Sequence, residues 1–543
     1  MRRKLFSRLL ALGLTVVTSA ALITGCGSKS GSTGGTTETT EGTLTEATKP
    51  ASYDDELHIA VNASPENLDL FSTTAMQAQW MCTGTIFESL VTIDSEYAIH
   101  PELAESFTIS DDARTYTYKL RSDVKFHDGT TMTAEDVVAS LNHWIEKFSN
   151  VAAVCGDNRF EITGDMEVGI TLTTPYLYLN ELMVKGSQRA IIVPKSSIDS
   201  VDPSTGVLTS YTGTGPYKFT EWSTDKYILF TKFEDYCPYG SEGDLNGYYG
   251  YKVASTDKIY YDIVTDAATR TSGIQTGEYD FAVAMNMDDY GIFSGNSDYK
   301  IYTEASQQLI LVFNNKSGIA SNPDIRLAVN AALNCSDILK AAYVEDDFVR
   351  PGGALMLNSG SEFYSTAGLE NYNQADAEKA KSMLEEAGYN GEEFRILFGN
   401  SYSDFSAAAL VIQDNLKAAG VNAVIESVDW ATYQTLSKDE TAYECFITSC
   451  SMKAIPTQLY YLGSSAGWAT ENAELVELKT AFDTSTDKES AIAAASALQE
   501  WFWTEGLPTS VLGTKVSYCV STDKVNNMYY FEGPHPWGVT VTE

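Results

Sequence analysis

The chain has 543 residues, 43% of them hydrophobic and 11% aromatic, enough to build the cores of two to four domains of about 150 residues each. Asp and Glu outnumber Lys and Arg by 73 to 36, which gives a formal net charge of −37. Because nucleic-acid binding depends on cations that meet phosphates, this charge argues against a nucleic-acid partner. It favours a solubilising surface on an exported protein over an acidic recognition role.

Residues 1–25 predict a secretory signal. Their only charged side chains are four cations, so removing them would take the net charge from −37 to −41. The apolar stretch 9–23 has 15 residues, too few for a membrane-spanning helix of ~20 residues and suited to a signal peptide. Residues 22–26 read LITGC, the pattern of a lipoprotein cleavage site. Cys26 is therefore predicted to carry a diacylglycerol and to anchor an exported bacterial protein at the outer face of the cell membrane.

The composition of residues 26–53 supports this prediction over its alternative, a buried cysteine after an ordinary signal. After Cys26 the segment is dominated by Gly, Ser, Thr and Glu, with almost no large apolar residue. Such a segment is expected to form a flexible tether. The two acyl chains of a diacylglycerol give stable anchoring where one chain does not.

Hydrophobic periodicity predicts a β-rich segment next. The predicted elements are a strand at 56–61, a helix at 75–91, strands at 107–109 and 116–120, a helix from Thr133 to about Phe148, a tight loop at 213–217 and further strands to about 300. Thr133 followed by Asp136 forms a capping-box pattern, so a helix is expected to begin there.

After residue 307 strands alternate with helices. The predicted elements are a strand at 309–314, helices at 324–342 and 375–387, a strand at 394–398, a helix at 405–419, a strand at 421–428, a helical region at 472–503 and short strands at 509–531. This alternation predicts βαβ units and a mostly parallel sheet. β-rich structure at both ends of a chain, with α/β structure between them, is typical of a protein in which a second lobe is inserted into the first.

The remaining side-chain chemistry gives no sign of a metal or cofactor. Seven cysteines other than Cys26 are scattered without a C-x-x-C pair, and no two of the five histidines have ligand spacing. Neither a disulfide framework nor a zinc site is predicted. Cys445 and Cys450 would lie ~16 Å apart on opposite faces of a strand, so these thiols are expected to stay reduced.

An ordered series of short motifs runs along the chain. They are P-x-L-A-E at 101–105, an Asp-Asp turn at 111–112, YTYKLR at 116–121, VKFHDG at 124–129, TAEDV at 133–137, GTGPY at 213–217, FN at 313–314, PDIR at 323–326 and DW at 429–430. By these motifs the chain resembles, over about 54–535, the family 5 extracellular solute-binding proteins, which include dipeptide-, oligopeptide- and nickel-binding components of ABC importers. His127 is expected to serve a structural turn, since Gly129 after it can take positive φ.

This resemblance implies an α/β, two-lobed clamshell of the periplasmic-binding-protein type (type II, large cluster, with an extra β-rich subdomain). Lobe I would span 54–305 plus 508–543 with an inserted subdomain at about 70–205, and lobe II would span 306–507. Two strands near 305 and 508 would form the hinge. A monomeric receptor without enzymatic activity or cofactor would capture a small solute, most readily a peptide, and deliver it to membrane permease subunits of an ABC importer.

Three segments are expected to line the cleft. Their positions in the family pattern indicate this, and so does the rule that open α/β sheets bind ligands at the carboxyl ends of their strands. The candidate ligand-binding residues are Ser64, Glu66, Asn67, Asn400, Tyr402, Asp404, Trp430 and Lys453. Trp430 could instead be a core residue.

Lys453 departs from the pattern of peptide-binding relatives, which place there an acid for the peptide ammonium. A lysine repels that group. Three alternatives follow. Glu66 or Asp404 could bind the peptide ammonium in its place, or the ligand could lack a free amine. Lys453 could also lie in solvent outside the cleft.

Three other functions are considered. The same fold could bind an oligosaccharide, given 32 Tyr and 8 Trp, whereas nickel or haem is disfavoured by so few histidines. A lipoprotein that senses peptides or sugars for a partner receptor would show the same sequence features as an importer component. Residues 463–467 match the G-x-S-x-G of serine hydrolases, but the strand and helix that a nucleophile elbow needs are not predicted around them.

Overall fold

The computed structural model describes residues 53–73, 75–184, 188–357, 361–463 and 472–542. The predicted signal, Cys26 and almost all of the tether lie outside these residues, as does 464–467 of the G-x-S-x-G match. No helix in the described ranges is long and apolar enough to cross a membrane.

The described strands fall into five sheets. In chain order they are β1 Tyr53–Asp54, β2 Glu56–Val61, β3 Val91–Ile93, β4 Ile99–Pro101, β5 Ala104–Ile109, β6 Thr115–Leu120, β7 Glu161–Gly164, β8 Glu167–Thr171, β9 Tyr217–Ser223, β10 Tyr227–Lys232, β11 Lys258–Ile263, β12 Phe281–Ala282, β13 Tyr299–Phe313, β14 Glu393–Gly399, β15 Asn422–Val428, β16 Cys445–Ser451, β17 Thr509–Thr522, β18 Val525–Asn526, β19 Tyr529–Tyr530, β20 Pro534–His535 and β21 Thr540–Thr542.

One ten-stranded sheet runs through the molecule in the order β15-β14-β16-β13-β17-β12-β2-β11-β10-β9. Strands β15, β14 and β16 are parallel to one another, but β13 is antiparallel to both β16 and β17. The βαβ pairing expected after residue 307 is confirmed for β14 and β15. The sheet as a whole is not mostly parallel, because its two longest strands, β13 and β17, pair antiparallel at its centre. A separate antiparallel sheet, in the order β5-β6-β8-β7, supplies the β-rich part.

The α-helices are α1 Met76–Cys82, α2 Ala134–Lys147, α3 Ser149–Cys155, α4 Leu179–Met183, α5 Lys195–Asp199, α6 Ala267–Thr276, α7 Tyr290–Phe293, α8 Pro323–Ala332, α9 Cys335–Tyr343, α10 Ala377–Glu386, α11 Ser403–Ala418, α12 Trp430–Leu436, α13 Ala473–Asp483 and α14 Lys488–Trp501. The capping box predicted at the start of α2 is confirmed, since Thr133 accepts from the Asp136 amide while Asp136 accepts from the Thr133 amide.

Three predicted helices are shorter than expected. The helix predicted at 75–91 ends at Cys82, because Gly84 takes a φ of +65° and turns the chain. The helix predicted at 324–342 breaks into α8 and α9, because the Asn334 side chain accepts from the Asp337 amide and caps a new helix. The helical region 472–503 divides in the same way, with Asp487 capping α14. Conversely, the short strands predicted at 509–531 include the 14-residue β17.

Two hydrophobic cores carry the fold. The first core gathers Leu57, Tyr116, Trp144 and Trp537 with neighbours from the β-rich part, and the second gathers residues around Ile310, Ile338, Phe394 and Trp503. The first core also takes in Met356, Phe363, Ile455, Phe482, Ala491 and Ala495 from the 306–507 segment. The two parts of the chain therefore touch through apolar side chains.

His127 joins the HDG turn to the GTGPY loop. Its Nδ1 accepts from the Gly213 amide (3.1 Å), its Nε2 donates to the Gly215 carbonyl (3.0 Å), and its own amide donates to the Gly213 carbonyl (2.9 Å). Burial lowers the pKa of His127 to about 4, so the ring stays neutral with one donor and one acceptor, as this arrangement requires. The structural role expected for this turn is confirmed by these contacts.

Arg326 of the PDIR motif likewise holds backbone segments together, in this case beside the second core. Its guanidinium donates to the carbonyls of Leu507 (3.0 Å), Gly506 (2.6 Å), Ala320 (2.9 Å) and Ser321 (3.0 Å). Buried carbonyls need such donors, and a planar guanidinium can supply several at once. Arg326 thus fixes the chain just before β17 begins.

The GTGPY loop leaves no room for a side chain at its first glycine. A Cβ at Gly213 would lie 2.0 Å from the Ile86 carbonyl oxygen, whereas a Cβ at Gly291 would meet nothing within 4 Å. We expect Gly213→Ala to destabilise the protein by roughly 2–4 kcal/mol, because backbone must move, and Gly291→Ala to be neutral or slightly stabilising. Thermal unfolding of both variants tests this; equal Tm values would show that the loop is not packed as described.

Candidate ligand-binding site

A cavity of about 430 Å³ opens beside β13 and β17. Its volume falls in the range of ~300–1,000 Å³ that is typical of small-molecule sites. The residues that line it are Tyr97, Thr303, Ala305, Arg350, Leu357, Met452, Thr514, Tyr530, Phe531 and Glu532.

The cavity lies where the two cores meet. Tyr97, Tyr530 and Phe531 form an aromatic wall that packs against the first core. Two other lining residues are close to the second core: Arg350 follows its member Phe348 in the chain, and Ala305 of β13 packs against it. A molecule in the cavity would therefore contact both parts of the chain.

Glu532 and Arg350 supply charges of opposite sign. The Glu532 carboxylate accepts a hydrogen bond from the Tyr97 hydroxyl (2.9 Å), and the Glu532 backbone takes a φ of +54°, which is uncommon for a residue other than glycine. Arg350 is exposed, and no ion pair involves its guanidinium within the described ranges. Its carbonyl accepts from the Thr514 amide (2.9 Å), which ties this loop to β17.

The first predicted segment lies in the turn after β2. Ser64 and Glu66 are exposed, and Asn67 is half-buried. The Asn67 Oδ1 accepts from the Asp69 amide (2.9 Å) and the Ser72 hydroxyl (3.2 Å). The Asn67 side chain thus stabilises the turn, and these three residues are not among those that line the cavity.

Three other predicted residues come together at the carboxyl end of β14. The Trp430 ring stacks on Tyr433 (5.0 Å between centroids) and meets Tyr402 edge-on (5.0 Å), so Trp430 is half-buried against the second core. Asp404 forms a buried ion pair with Lys515. Burial raises the pKa of the Tyr402 hydroxyl, and the Asp404 charge raises it further.

This aromatic group and the cavity lie on different faces of β17. Thr514 lines the cavity, whereas Lys515 pairs with Asp404, and successive strand residues point to opposite faces. Asn400 is exposed and its amide donates to the Val428 carbonyl (2.8 Å). Lys453 is half-buried directly after the cavity-lining Met452 but is not itself a lining residue.

Sequence reasoning missed the residues that line the cavity. Within the 445–456 segment it selected Lys453, whereas Met452 is the lining residue. Arg350 precedes a Pro-Gly-Gly loop and Glu532 precedes Gly533-Pro534, so each stands at a turn signal. Those signals predict loops, but nothing in them predicts that the two loops face one cavity.

No group of three or more His, Cys, Asp or Glu residues that could hold a metal ion occurs in the described parts of the chain. The seven cysteines there are free thiols, six of them buried.

Comparison with known proteins identifies this architecture. A family model described as "Bacterial extracellular solute-binding proteins, family 5 Middle" matches residues 98–471, more than half of the chain. The chain belongs to the family 5 extracellular solute-binding proteins.

Relatives of this family 5 protein include a "probable peptide ABC transporter periplasmic-binding protein" of Sinorhizobium fredii, 27% identical over 485 residues, which cover 84% of this chain and 88% of the relative. The glutathione-binding protein GsiB of Escherichia coli O1:K1 is 26% identical over 387 residues, 69% of this chain and 70% of the relative.

Among solved structures, DppA of Helicobacter pylori in complex with the peptide STSA superimposes with a TM-score of 0.73 at 22% identity, covering 91% of this chain and 99% of that one. The family 5 protein therefore has the predicted two-lobed α/β clamshell fold.

An aromatic cluster joins the β-rich part to the 306–507 segment. Tyr178 stacks on Phe482 (4.8 Å between centroids) and meets Phe363 edge-on (5.5 Å), while Phe363 and Phe482 lie 5.2 Å apart. Beside Tyr178, burial raises the pKa of Glu181, with a smaller contribution from the Glu362 charge, to about 8. A protonated Glu181 can enter this apolar surface at lower cost than a charged one. The contact is therefore expected to weaken as the pH rises from the ordinary pKa of a glutamate side chain up to about 8, and to change little above that pH.

The same chain segments reach both the aromatic cluster and the cavity. Leu357 and Met452 line the cavity, whereas Met356 and Ile455 pack into the first core. The segments that make contact between the two parts therefore also supply walls of the cavity.

We expect Phe482→Ala to shift the ligand-free protein towards an open state, because it removes an aromatic contact worth roughly 2–4 kcal/mol. Small-angle X-ray scattering should show a larger radius of gyration than for the wild type. Val476→Ala, on the exposed face of the same helix α13, is the matched control and should leave the scattering unchanged. Identical profiles for the two variants would show that the cluster does not hold the lobes together.

Proposed function

We propose that this family 5 protein is the solute receptor of an ABC importer and that it captures a short peptide between its lobes for delivery to membrane permease subunits. The observation that carries this proposal is the cavity of about 430 Å³ between the two cores, with one cation and one anion on its walls. The names of the relatives, a peptide ABC transporter protein and a glutathione-binding protein, support a peptide-like solute.

The proposed mechanism is closure without covalent chemistry or a cofactor. Lobe I would be 54–305 plus 508–543, with a subdomain at about 70–205, and lobe II would be 306–507, so that β13 and β17 cross between them. A solute that contacts both lobes binds the closed state more tightly than the open state and shifts the equilibrium by that difference. The closed monomer would then dock on the permease.

We propose the cavity-lining residues as the centre of the site. The residues selected from the sequence remain proposed contacts at the surrounding cleft: Ser64, Glu66, Asn67, Asn400, Tyr402, Asp404, Trp430 and Lys453. Of these, Tyr402 and Trp430 offer aromatic surface to a longer ligand.

Oligosaccharides are the second candidate solute. The aromatic wall of Tyr97, Tyr530 and Phe531 could stack on sugar faces as well as on peptide side chains. The two charged walls favour the peptide, because a neutral sugar offers no charged group to either wall.

Thermal unfolding with two mixtures distinguishes these solutes. A random library of di- to pentapeptides should raise the Tm, since a ligand that binds only the native state stabilises it by about 2.7 kcal/mol at 100 times its dissociation constant. A mixture of neutral oligosaccharides of similar size should leave the Tm unchanged. A rise with oligosaccharides and none with peptides would overturn the peptide assignment.

We further propose that a diacylglycerol on Cys26 anchors the receptor at the outer face of the membrane, the 26–53 segment serving as tether. A host fed with an alkyne-labelled fatty acid should label the wild type, and Cys26→Ser should lose the label and leave the membrane fraction. Cys237 is the half-exposed cysteine of the described chain. The control Cys237→Ser should keep both the fatty-acid label and the association with the membrane fraction. Labelling that persists in Cys26→Ser would contradict the anchor.

A further inference from the structure

Glu181 lies at the contact between the β-rich part and the 306–507 segment. Tyr178 is the N-cap of α4 and Glu181 follows one turn later, so the two side chains share one face of the helix. The Tyr178 ring packs on Phe482 and Phe363 of the 306–507 segment. The first core takes up the remaining large apolar residues of α4, which are Leu179, Leu182 and Met183. Glu181 is therefore the ionisable residue that α4 presents to this contact.

The Glu181 carboxyl group has an oxygen without a partner. The residue as a whole is half-buried, but its Oε2 is fully buried and has no hydrogen-bond partner among the described residues. The Tyr178 hydroxyl is buried in the same way and also has no partner there. A buried carboxylate without a donor is costly, whereas a protonated carboxyl group carries no charge. The contact between the two parts therefore favours the protonated form of Glu181.

The neighbouring titratable groups do not favour a charged Glu181. Those that interact with Glu181 or Tyr178 are all acids or phenols: Tyr116, Tyr118, Tyr176, Glu362, Asp483 and Asp487. Each of them is neutral or negative, so none can stabilise a second negative charge. Lys185, the next cation along the sequence, lies outside the described residues.

The cations on the other side of the contact are engaged elsewhere. Lys488 pairs with Glu362, and the Lys479 ammonium donates to the Leu462 carbonyl (2.8 Å). No ion pair within the described ranges includes Glu181. Separation of the two parts would remove Glu362 and the aromatic rings from Glu181 and expose its carboxyl group to water, where it is charged at neutral pH.

We infer that closure of the two parts over a solute takes up a proton at Glu181, so that this receptor holds its solute more tightly in acidic than in neutral surroundings. This inference rests on the proposed function and adds the proton to it as a second ligand. A proton that prefers the closed state must raise the affinity for any solute that also prefers the closed state, because the coupling between two ligands is reciprocal.

The same linkage fixes the pH range of the effect. The pKa of Glu181 rises from its ordinary value of 4.5 to about 8 in the contact. Well below this range both states carry the proton, and above it neither does, so the affinity for a solute falls as the pH rises between the two values. The fall is at most about tenfold per pH unit.

Titration calorimetry on the full chain with random di- to pentapeptides that lack His, Asp and Glu tests the inference. At pH 6, measured in two buffers of different ionisation enthalpy, the wild type should take up about one proton per bound peptide. Its binding should be roughly 10- to 100-fold weaker at pH 7 than at pH 5. Glu181→Gln and Glu181→Met are neutral at every pH, so both should take up no proton and bind equally at the two pH values.

A matched variant controls for a general change in charge. Glu161 is an exposed acid on β7 of the same β-rich part, and Glu161→Gln should retain the proton uptake and the pH dependence of the wild type. If peptides bind without proton uptake, or if Glu181→Gln and Glu181→Met keep the wild-type uptake, the inference is overturned while the receptor function stands.

Small-angle X-ray scattering of the ligand-free protein separates this inference from the proposed function. The radius of gyration of the wild type should increase between pH 5 and pH 8, whereas that of Glu181→Gln should keep its smaller value. If the peptides bind at no pH, the proposed function fails, and the scattering then decides the role of Glu181. A wild-type radius that is independent of pH would overturn that role.

Discussion

The antiparallel pairing of β13 with β17 is the constraint on which the rest of the structure depends. These strands of 15 and 14 residues pair from Tyr299↔Thr522 to Val312↔Thr509, with irregularities between Glu304 and Gln307 and between Leu309 and Ile310. One end of the ladder lies beside the first core and the other inside the second. A bulge locally bends and twists a strand. The irregularity next to the cavity-lining Ala305 therefore suits the hinge that we propose between the two lobes.

Two of the family motifs, PDIR and the HDG turn, fix backbone segments through buried hydrogen bonds. Arg326 fixes the carbonyls just before β17, and His127 fixes the GTGPY loop through both ring nitrogens. Such buried polar contacts specify one backbone arrangement, since leaving their partners unsatisfied is costly. The cavity, by contrast, is lined by residues outside these motifs, six of them in loops and four in strands. A shared scaffold with variable walls would allow members of one family to bind different solutes.

Local signals in the sequence were sufficient to predict much of the fold but few of the residues that line the cavity. The capping box at Thr133 and the glycines after α10 and α11 mark helix ends through neighbouring residues, so they could be read directly. The breaks at Gly84 and Asn334 were missed because apolar periodicity continues across them. The pairing of β13 with β17 joins residues some 200 positions apart. Tyr97, Arg350, Met452 and Glu532 converge only through that pairing, and no periodicity relates them.

The proposed receptor function requires a solute in the cavity beside β13 and β17 to contact both lobes and draw them together. A crystal structure of the protein purified with its endogenous ligand tests this most directly. It should show ligand density inside the cavity beside β13 and β17, in contact with residues of both lobes. Density at the Tyr402–Trp430 surface with this cavity filled only by water would contradict the claim.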